Sequence, residues 1–184
     1  MKNTVSIGIT VLNEEKNLHS LLTALLHQET PDFTITAIQV ISDGSSDNTV
    51  KILKSFAAKH PVLKPMYGTK RLGKPARLNW LFSECTTDVI VVLDGDVSIP
   101  SKQTIQRLVE PILHETKVDL TSGKADYLPT RTYFEKIMSV GIDMWCEVKE
   151  KTGQAEMYTC EGQIRAFSSR LYRQITFPEY SAED

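Results

Sequence analysis

The sequence predicts an α/β fold, a mainly parallel sheet wrapped by helices. Three observations carry this. Apolar runs rich in β-branched residues occur at Val5 to Leu12, Thr34 to Ser42 and Val89 to Leu93; the last, an unbroken run, reads as a strand buried on both faces. Between the runs lie segments with apolar residues at helical spacing. Strand, helix and strand then alternate along the first two thirds of the chain, the order that produces a parallel sheet with helices on its faces.

Val5 to Leu12 is the first strand, and Asn13 after it suits a helix cap. Glu14 to His27 is the first helix, with Leu18, Leu21, Leu22, Leu25 and Leu26 on one side. Pro31 and Asp32 break it before the second strand, Thr34 to Ser42. Asp43-Gly44-Ser45-Ser46-Asp47 is a turn cluster whose Asp47 or serines can cap a helix bearing Val50, Ile52, Leu53 and Phe56. Val62 to Tyr67 reads as a short third strand, and Gly68 to Gly73 as a basic, glycine-flanked loop. Pro75 suits the first turn of a helix through Leu81. The Val89 strand follows, then a helix from about Ser101 to His114 and a further strand near Val118 to Lys124. Tyr133 to Lys149 reads as one long helix in a less regular half, expected to shape a ligand pocket.

At 184 residues, 41% hydrophobic and 24% charged, the chain fits one globular domain with a real core. A net charge of −2 gives no electrostatic footprint for nucleic acid. Cys85, Cys146 and Cys160 show neither CxxC pairing nor zinc spacing, which favours a reducing, cytoplasmic setting. No segment approaches the roughly 18 apolar residues of a membrane span, and the start lacks a signal peptide's long apolar region. The end at Ala182-Glu183-Asp184 reads as a cut in a longer domain.

Three strand ends carry polar groups of one kind: Asn13, Glu14 and Glu15; Asp43, Gly44, Ser45 and Asp47; Asp94, Gly95 and Asp96. Each alone is ordinary turn and capping chemistry. In a parallel sheet, however, these ends line one edge, where open α/β sheets bind ligands. Asp94 and Asp96 repel if both are ionised and partly desolvated. A divalent Mg2+ or Mn2+ removes that repulsion and takes carboxylate, water and phosphate oxygens. Gly95 between them leaves room for close approach of a ligand.

The set Thr10-Val11-Leu12-Asn13-Glu14-Glu15, Ser42-Asp43-Gly44-Ser45-Ser46-Asp47, Gly73-Lys74-Pro75-Ala76-Arg77-Leu78-Asn79 and Asp94-Gly95-Asp96 resembles glycosyltransferase family two, the inverting GT-A transferases. The resemblance implies a Rossmann-like GT-A domain over 1–184, with a nucleotide-sugar half at 1–100 and an incomplete acceptor half at 101–184. It implies that Asp43 pairs with the nucleotide base, and that Thr10, Leu12 and Glu14 edge the nucleoside pocket; relatives often carry proline at the Thr10 position. Lys74 would lie near the nucleotide, Asp94 near ribose and metal, and Asp96 would be the principal metal ligand. Cys160 to Phe167 resembles the segment lining the acceptor side of the pocket, which would place Glu161 in the acceptor and donor-sugar pocket and let Gly162 permit close approach of the donor sugar. Glu183-Asp184 matches the family's acidic pair, whose aspartate is the general base. Trp145 reads as core or as a sugar-stacking platform. His19, His27, His60 and His114 lack ligand spacing and read as structural or surface residues.

The expectation is therefore an inverting, Mn2+- or Mg2+-dependent transfer of sugar from a nucleotide-diphospho donor, UDP favoured, to a saccharide or lipid acceptor, with no nucleic-acid partner. The family's Gln/Arg-x-x-Arg-Trp element and membrane helices are missing, so membrane association, at the inner face, would come only through further C-terminal segments. The rival reading is a fragment that binds nucleotide sugar without turnover. A receiver domain is disfavoured by where the acids fall, and a Rossmann dehydrogenase by the lack of GxGxxG after the first strand.

Overall fold

The computed structural model describes residues 2–123, 151 and 163–178. The chain divides into two compact units, Met1–Gly123 with Gly162–Asp184, and Lys124–Glu161; the described elements belong to the first. They are β1 (Asn3–Val11), α1 (Leu18–Leu26), β2 (Phe33–Asp43), α2 (Thr49–Ala57), β3 (Leu63–Gly68), α3 (Lys74–Glu84), β4 (Val89–Asp94), α4 (Thr104–His114), β5 (Leu120–Ser122), β6 (Ile164–Ser168) and a short α5 (Ser169–Tyr172). The expected long helix at 133–149 lies outside the described residues.

The six strands form one sheet in the order β3-β2-β1-β4-β6-β5. β3, β2, β1 and β4 pair in parallel, and β6 runs antiparallel to both β4 and β5. The parallel α/β reading of the sequence is therefore the architecture found. Its central strand shows why the layers form. β1 alternates Val5, Ile7 and Ile9, all fully buried, with the small residues Ser6, Gly8 and Thr10. The bulky set packs with Leu18, Leu21, Leu22, Leu53, Ile105 and Val109 of α1, α2 and α4. The small set lets α3 come close: a Cβ on Gly8 would sit 2.9 Å from Leu81 Cδ1. α3 and α5 cover this second face, where Leu78, Leu81, Phe82 and Tyr172 pack with Ile41, Ile90, Val92 and Phe167.

The first helix differs from expectation. It begins at Leu18, not Glu14. Asn13 has a φ of 58°, a left-handed conformation that asparagine tolerates. The backbone N–H groups of Glu14 and Glu15 donate to Thr49 Oγ1 (2.8 Å) and Asp47 Oδ2 (3.0 Å). Asn13 Oδ1 accepts from Ser46 N, and Glu15 Oε2 from Asn48 N. The loop after β1 is thus stitched to the loop after β2, and this costs α1 its first turn. Asn13, Glu15 and Asp47 are spent on this seam. α4 likewise starts at Thr104, after a Ser101 turn in which Gln103 N donates to Ser101 Oγ.

Candidate functional site

A cleft of about 440 Å3 opens over the C-terminal ends of β1, β2 and β4. That size suits a small-molecule site. Thr10, Leu12, Glu14, Asp43, Lys74, Asp94 and Asp96 all line it. Every expected site residue among the described residues therefore meets in one place. Asp184, Glu183, Glu161, Gly162 and Trp145 lie outside the described residues.

Strand periodicity sets the geometry. Side chains two residues apart share a sheet face. Ile41 and Asp43 share one, as do Ile90, Val92 and Asp94, and Ile41, Ile90 and Val92 pack on the α3 side. Both aspartates thus leave their strands toward α3, which answers each with a cation. Arg77 Nε donates to Asp43 Oδ1 at 2.6 Å. Lys74 Nζ stands 2.9 Å from Asp94 Oδ1 and donates to Oδ2 at 3.1 Å.

Asp43 is buried and nearly saturated. Besides Arg77, its carboxylate accepts Leu72 N at 2.9 Å and Gly73 N at 2.9 Å. Arg77, itself 9% exposed, also donates to Lys70 O at 3.0 Å. Asp43 and Arg77 together fold the 68–73 loop onto the site. Burial pushes the Asp43 carboxyl upward, but the Leu72 N–H, the Arg77 guanidinium and the Gly73 N–H outweigh it, so it titrates below the ordinary 3.8.

Asp94 is the opposite case. Burial raises its pKa above the ordinary 3.8, the nearby Asp96 adds to this, and Lys74 and Arg165 offset only part. Its Oδ1 is buried and, although Lys74 Nζ stands 2.9 Å away as an ion partner, accepts no aligned hydrogen bond from the described residues. Asp96, two residues on, is exposed at the cleft. A buried carboxylate oxygen with an open lone pair, next to a second carboxylate, is a hard-oxygen donor set that fits Mg2+ or Mn2+. Gly95 contributes differently from expectation. A Cβ there would lie 2.8 Å from Val11 Cγ1 and 2.9 Å from Glu14 Cγ, so its missing side chain makes room for the protein's own packing. A separate cluster of Asp32, Glu110 and His114 has metal-ligand spacing. It is exposed and sits just before the start of β2, at the opposite edge of the sheet, so it is not the cleft's cation site.

Two roles went unread in the sequence. Arg77 appears in the quoted motif without a task, although its place three residues after Lys74 puts both on one side of α3. Asn79 pairs reciprocally with the Phe177 backbone: Nδ2 donates to Phe177 O at 2.9 Å and Phe177 N donates to Oδ1 at 2.7 Å. It thereby fastens the segment that leads toward 184.

Comparison with known proteins adds the following. The family model "Glycosyl transferase family 2" matches residues 6–177. Glycosyltransferase AglE of Haloferax volcanii is 30% identical over 123 residues, 67% of this chain and 40% of AglE. A dolichyl-phosphate beta-glucosyltransferase of Trichomonas vaginalis is 28% identical over 149 residues, 74% of this chain and 44% of that protein. The chain therefore spans less than half the length of these two curated relatives. Among solved structures, the mannosyltransferase PcManGT of Pyrobaculum calidifontis, in complex with GDP-Man and Mn2+, superposes with a TM-score of 0.72 at 19% identity, covering 98% of this chain and 49% of that one. Glucosyl-3-phosphoglycerate synthase of Mycobacterium tuberculosis, with Mn2+, UDP and phosphoglyceric acid, gives 0.62 at 18% identity over 91% of this chain and 56% of that one. These two likenesses show a common fold.

Proposed function

We propose, from the premise that this chain belongs to glycosyl transferase family 2, that the cleft holds a nucleotide-diphospho-sugar, UDP-linked by preference, and that the protein transfers the sugar with inversion to an acceptor hydroxyl. The observation that carries this reading is the pairing, in one cleft, of a pinned aspartate (Asp43) with two neighbouring carboxylates, Asp94, whose buried Oδ1 lacks an aligned hydrogen bond, and the exposed Asp96. A relative's solved structure holding GDP-Man and Mn2+, and another holding UDP and Mn2+, support the donor class.

In this reading Asp43, held by Arg77 and the Leu72 and Gly73 N–H groups, accepts a base N–H by giving up its longer contact from Leu72 N to Oδ2 (3.2 Å), between the walls made by Thr10, Leu12 and Glu14. Lys74 turns from Asp94 to the diphosphate, exchanging one anion for another. Asp94 and Asp96 would hold the divalent cation, which offsets charge on the departing nucleoside diphosphate. Asp184 takes the acceptor's hydroxyl proton. The acceptor oxygen then bonds the anomeric carbon, the bond from that carbon to the phosphate oxygen breaks, and its electron pair leaves with the diphosphate. Attack from the face opposite the leaving group inverts the centre. Glu183, Glu161, Gly162 and Trp145 would border the acceptor and donor sugar, and the acceptor is a saccharide or a lipid.

The test is calorimetry of UDP-, GDP- and dTDP-sugars with Mn2+ and with chelator. Metal-dependent binding of one base in preference to the others is expected. Equal affinity in chelator removes the cation assignment. Asp184→Asn in a longer chain should keep donor affinity and lose transfer; retained transfer removes Asp184 as the base.

A further inference from the structure

We propose that the groove between α1 and α2 is a second ligand site, one that binds an aromatic acid. The inference goes beyond the donor reading and does not depend on it. The groove has a volume of about 620 Å3, against about 440 Å3 for the donor cleft, and the two share no lining residue. It lies on the face of the sheet that α1 and α2 cover, opposite the α3 face toward which Asp43 and Asp94 point.

Helical spacing builds the groove. Lys51, Ile52, Ser55 and Phe56 recur at i, i+1, i+4 and i+5, one stripe of α2. The N–H groups of Lys59 and His60 both donate to Phe56 O (3.0 and 2.9 Å), so the chain keeps turning past Ala57 and brings both residues to the same groove. α1 supplies His19 and Thr23 one turn apart, with the Thr23 hydroxyl engaged on His19 O at 2.8 Å. Leu53 of α2 is fully buried in the core, whereas Ile52 and Phe56 beside it are only half-buried. Phe56 stands between two imidazoles. His19 meets it edge-on, with 5.0 Å between ring centres and an angle of 80°, and His60 lies 6.0 Å away at 34°. A row of three rings next to Ile52 is a surface for a flat apolar body, since aromatic rings favour offset and edge-on neighbours.

The charge on the groove selects an acid. Lys51 and Lys59 are exposed in its lining, and among the described residues no carboxylate lines it. Glu15, which reaches Asn48 at the start of α2, has Oε2 engaged by the Asn48 backbone and side-chain amides (3.0 and 2.8 Å). The whole chain carries a net charge of −2, so a lining with two lysines and no acid is a local reversal of sign. The rings supply apolar area and the ammonium groups supply a few oriented charges, the combination by which pockets of this size hold small organic molecules. The complementary molecule has an aromatic body and an anionic edge.

The experiment titrates naphthoate, naphthol, octanoate and acetate into the full chain by calorimetry. Naphthoate should bind with a dissociation constant below about 1 mM. Naphthol, which lacks the charge, and octanoate, which lacks the ring, should each bind about threefold or more weakly, and acetate not at all. UDP with Mg2+ should leave naphthoate affinity unchanged. Lys51→Gln combined with Lys59→Gln, both at exposed positions, should keep the fold and the UDP affinity and weaken naphthoate about fivefold, as the loss of two exposed ion pairs implies. Phe56→Leu keeps apolar bulk and removes the ring, so it should weaken naphthoate and leave octanoate little changed; if it lowers the melt, the lysine variant carries the comparison. Absence of naphthoate binding overturns the proposal. So does naphthol or octanoate binding as tightly as naphthoate, an affinity indifferent to the lysine variant or to a folded Phe56→Leu, or displacement by UDP, which would place the acid in the donor cleft. A chain that binds naphthoate but no UDP loses the donor reading and keeps this one.

Discussion

Asp43 and Asp94 end two strands of one sheet, face the same helix and each meet one of its cations, yet their states are opposite. Asp43 accepts two backbone N–H groups and the Arg77 guanidinium. Among the described residues Asp94 accepts a hydrogen bond from Lys74 only, and its buried Oδ1, ion-paired with the same ammonium at 2.9 Å, has no aligned donor. The difference lies in what surrounds each strand end. At the end of β2 the loop between β3 and α3 lies against Asp43 and brings the backbone donors of Leu72 and Gly73. β4 runs into Gly95 and an exposed Asp96, bringing more negative charge. One corner is finished by the fold and can serve as a rigid reader. The other is left short of positive charge, as a site for a cation must be.

The sharpest way to break this contrast is to remove each carboxylate in turn. Asp43→Ala strands a buried Arg77 and frees two backbone donors, so it should cost about 3–5 kcal/mol of stability, the usual result of breaking a buried pair. Asp94→Asn should melt no lower than wild type in chelator, because it removes a carboxylate that burial already disfavours. Chemical denaturation of both variants decides; equal losses would mean the two corners are not different in kind. Next in size is the functional side. Asp96→Asn, at an exposed position, should leave the melt unchanged and weaken metal-dependent donor binding about 100-fold, the upper range for losing a metal-site partner. Calorimetry with Mn2+ that shows an unchanged constant would shift the cation away from this pair. Smaller again is Gly95→Ala, whose Cβ must push Val11 and Glu14 aside. Overpacking of this kind costs about 1–3 kcal/mol, and the displaced Glu14 should weaken donor binding along with it. A variant as stable as wild type would show that the β4 turn yields freely.

Much of this was legible in the sequence because it is local. Parallel strands announce themselves as runs like Val89 to Leu93, and acids at their ends must share an edge once the strands are parallel. The unread part depends on partners far along the chain. Asp43 is fixed by residues 72, 73 and 77, and no spacing rule links a strand end to a loop 29 residues later. The loss of the first turn of α1 has the same cause: a capping-type asparagine after a strand predicts a helix start, but Asn13, Glu14 and Glu15 found better hydrogen-bond partners in the loop after β2. Gly95 was read for a ligand, whereas its space is claimed by Val11 and Glu14, a packing fact that pattern alone does not carry.

The smallest expected effect is the pH dependence, and it tests the contrast by sign. The folded pKa of Asp43 lies below its ordinary 3.8, so in acid the unfolded chain binds more protons at this group than the folded one. Its stabilisation is complete above pH 3.8 and is lost as pH falls through the lower folded value. Asp94 has a folded pKa above 3.8, so the folded chain binds more protons there, and its contribution declines as pH rises from 3.8 through that higher value. Stability curves of wild type, Asp43→Asn and Asp94→Asn, measured metal-free by urea unfolding between acid and neutral pH, separate the two. The wild-type advantage over Asp43→Asn should shrink toward low pH, while Asp94→Asn should gain on wild type as pH rises. Two differences with the same slope would mean that Lys74 satisfies Asp94 as fully as Arg77 and the loop backbone satisfy Asp43, and that the β4 corner does not hold an unmet demand for positive charge.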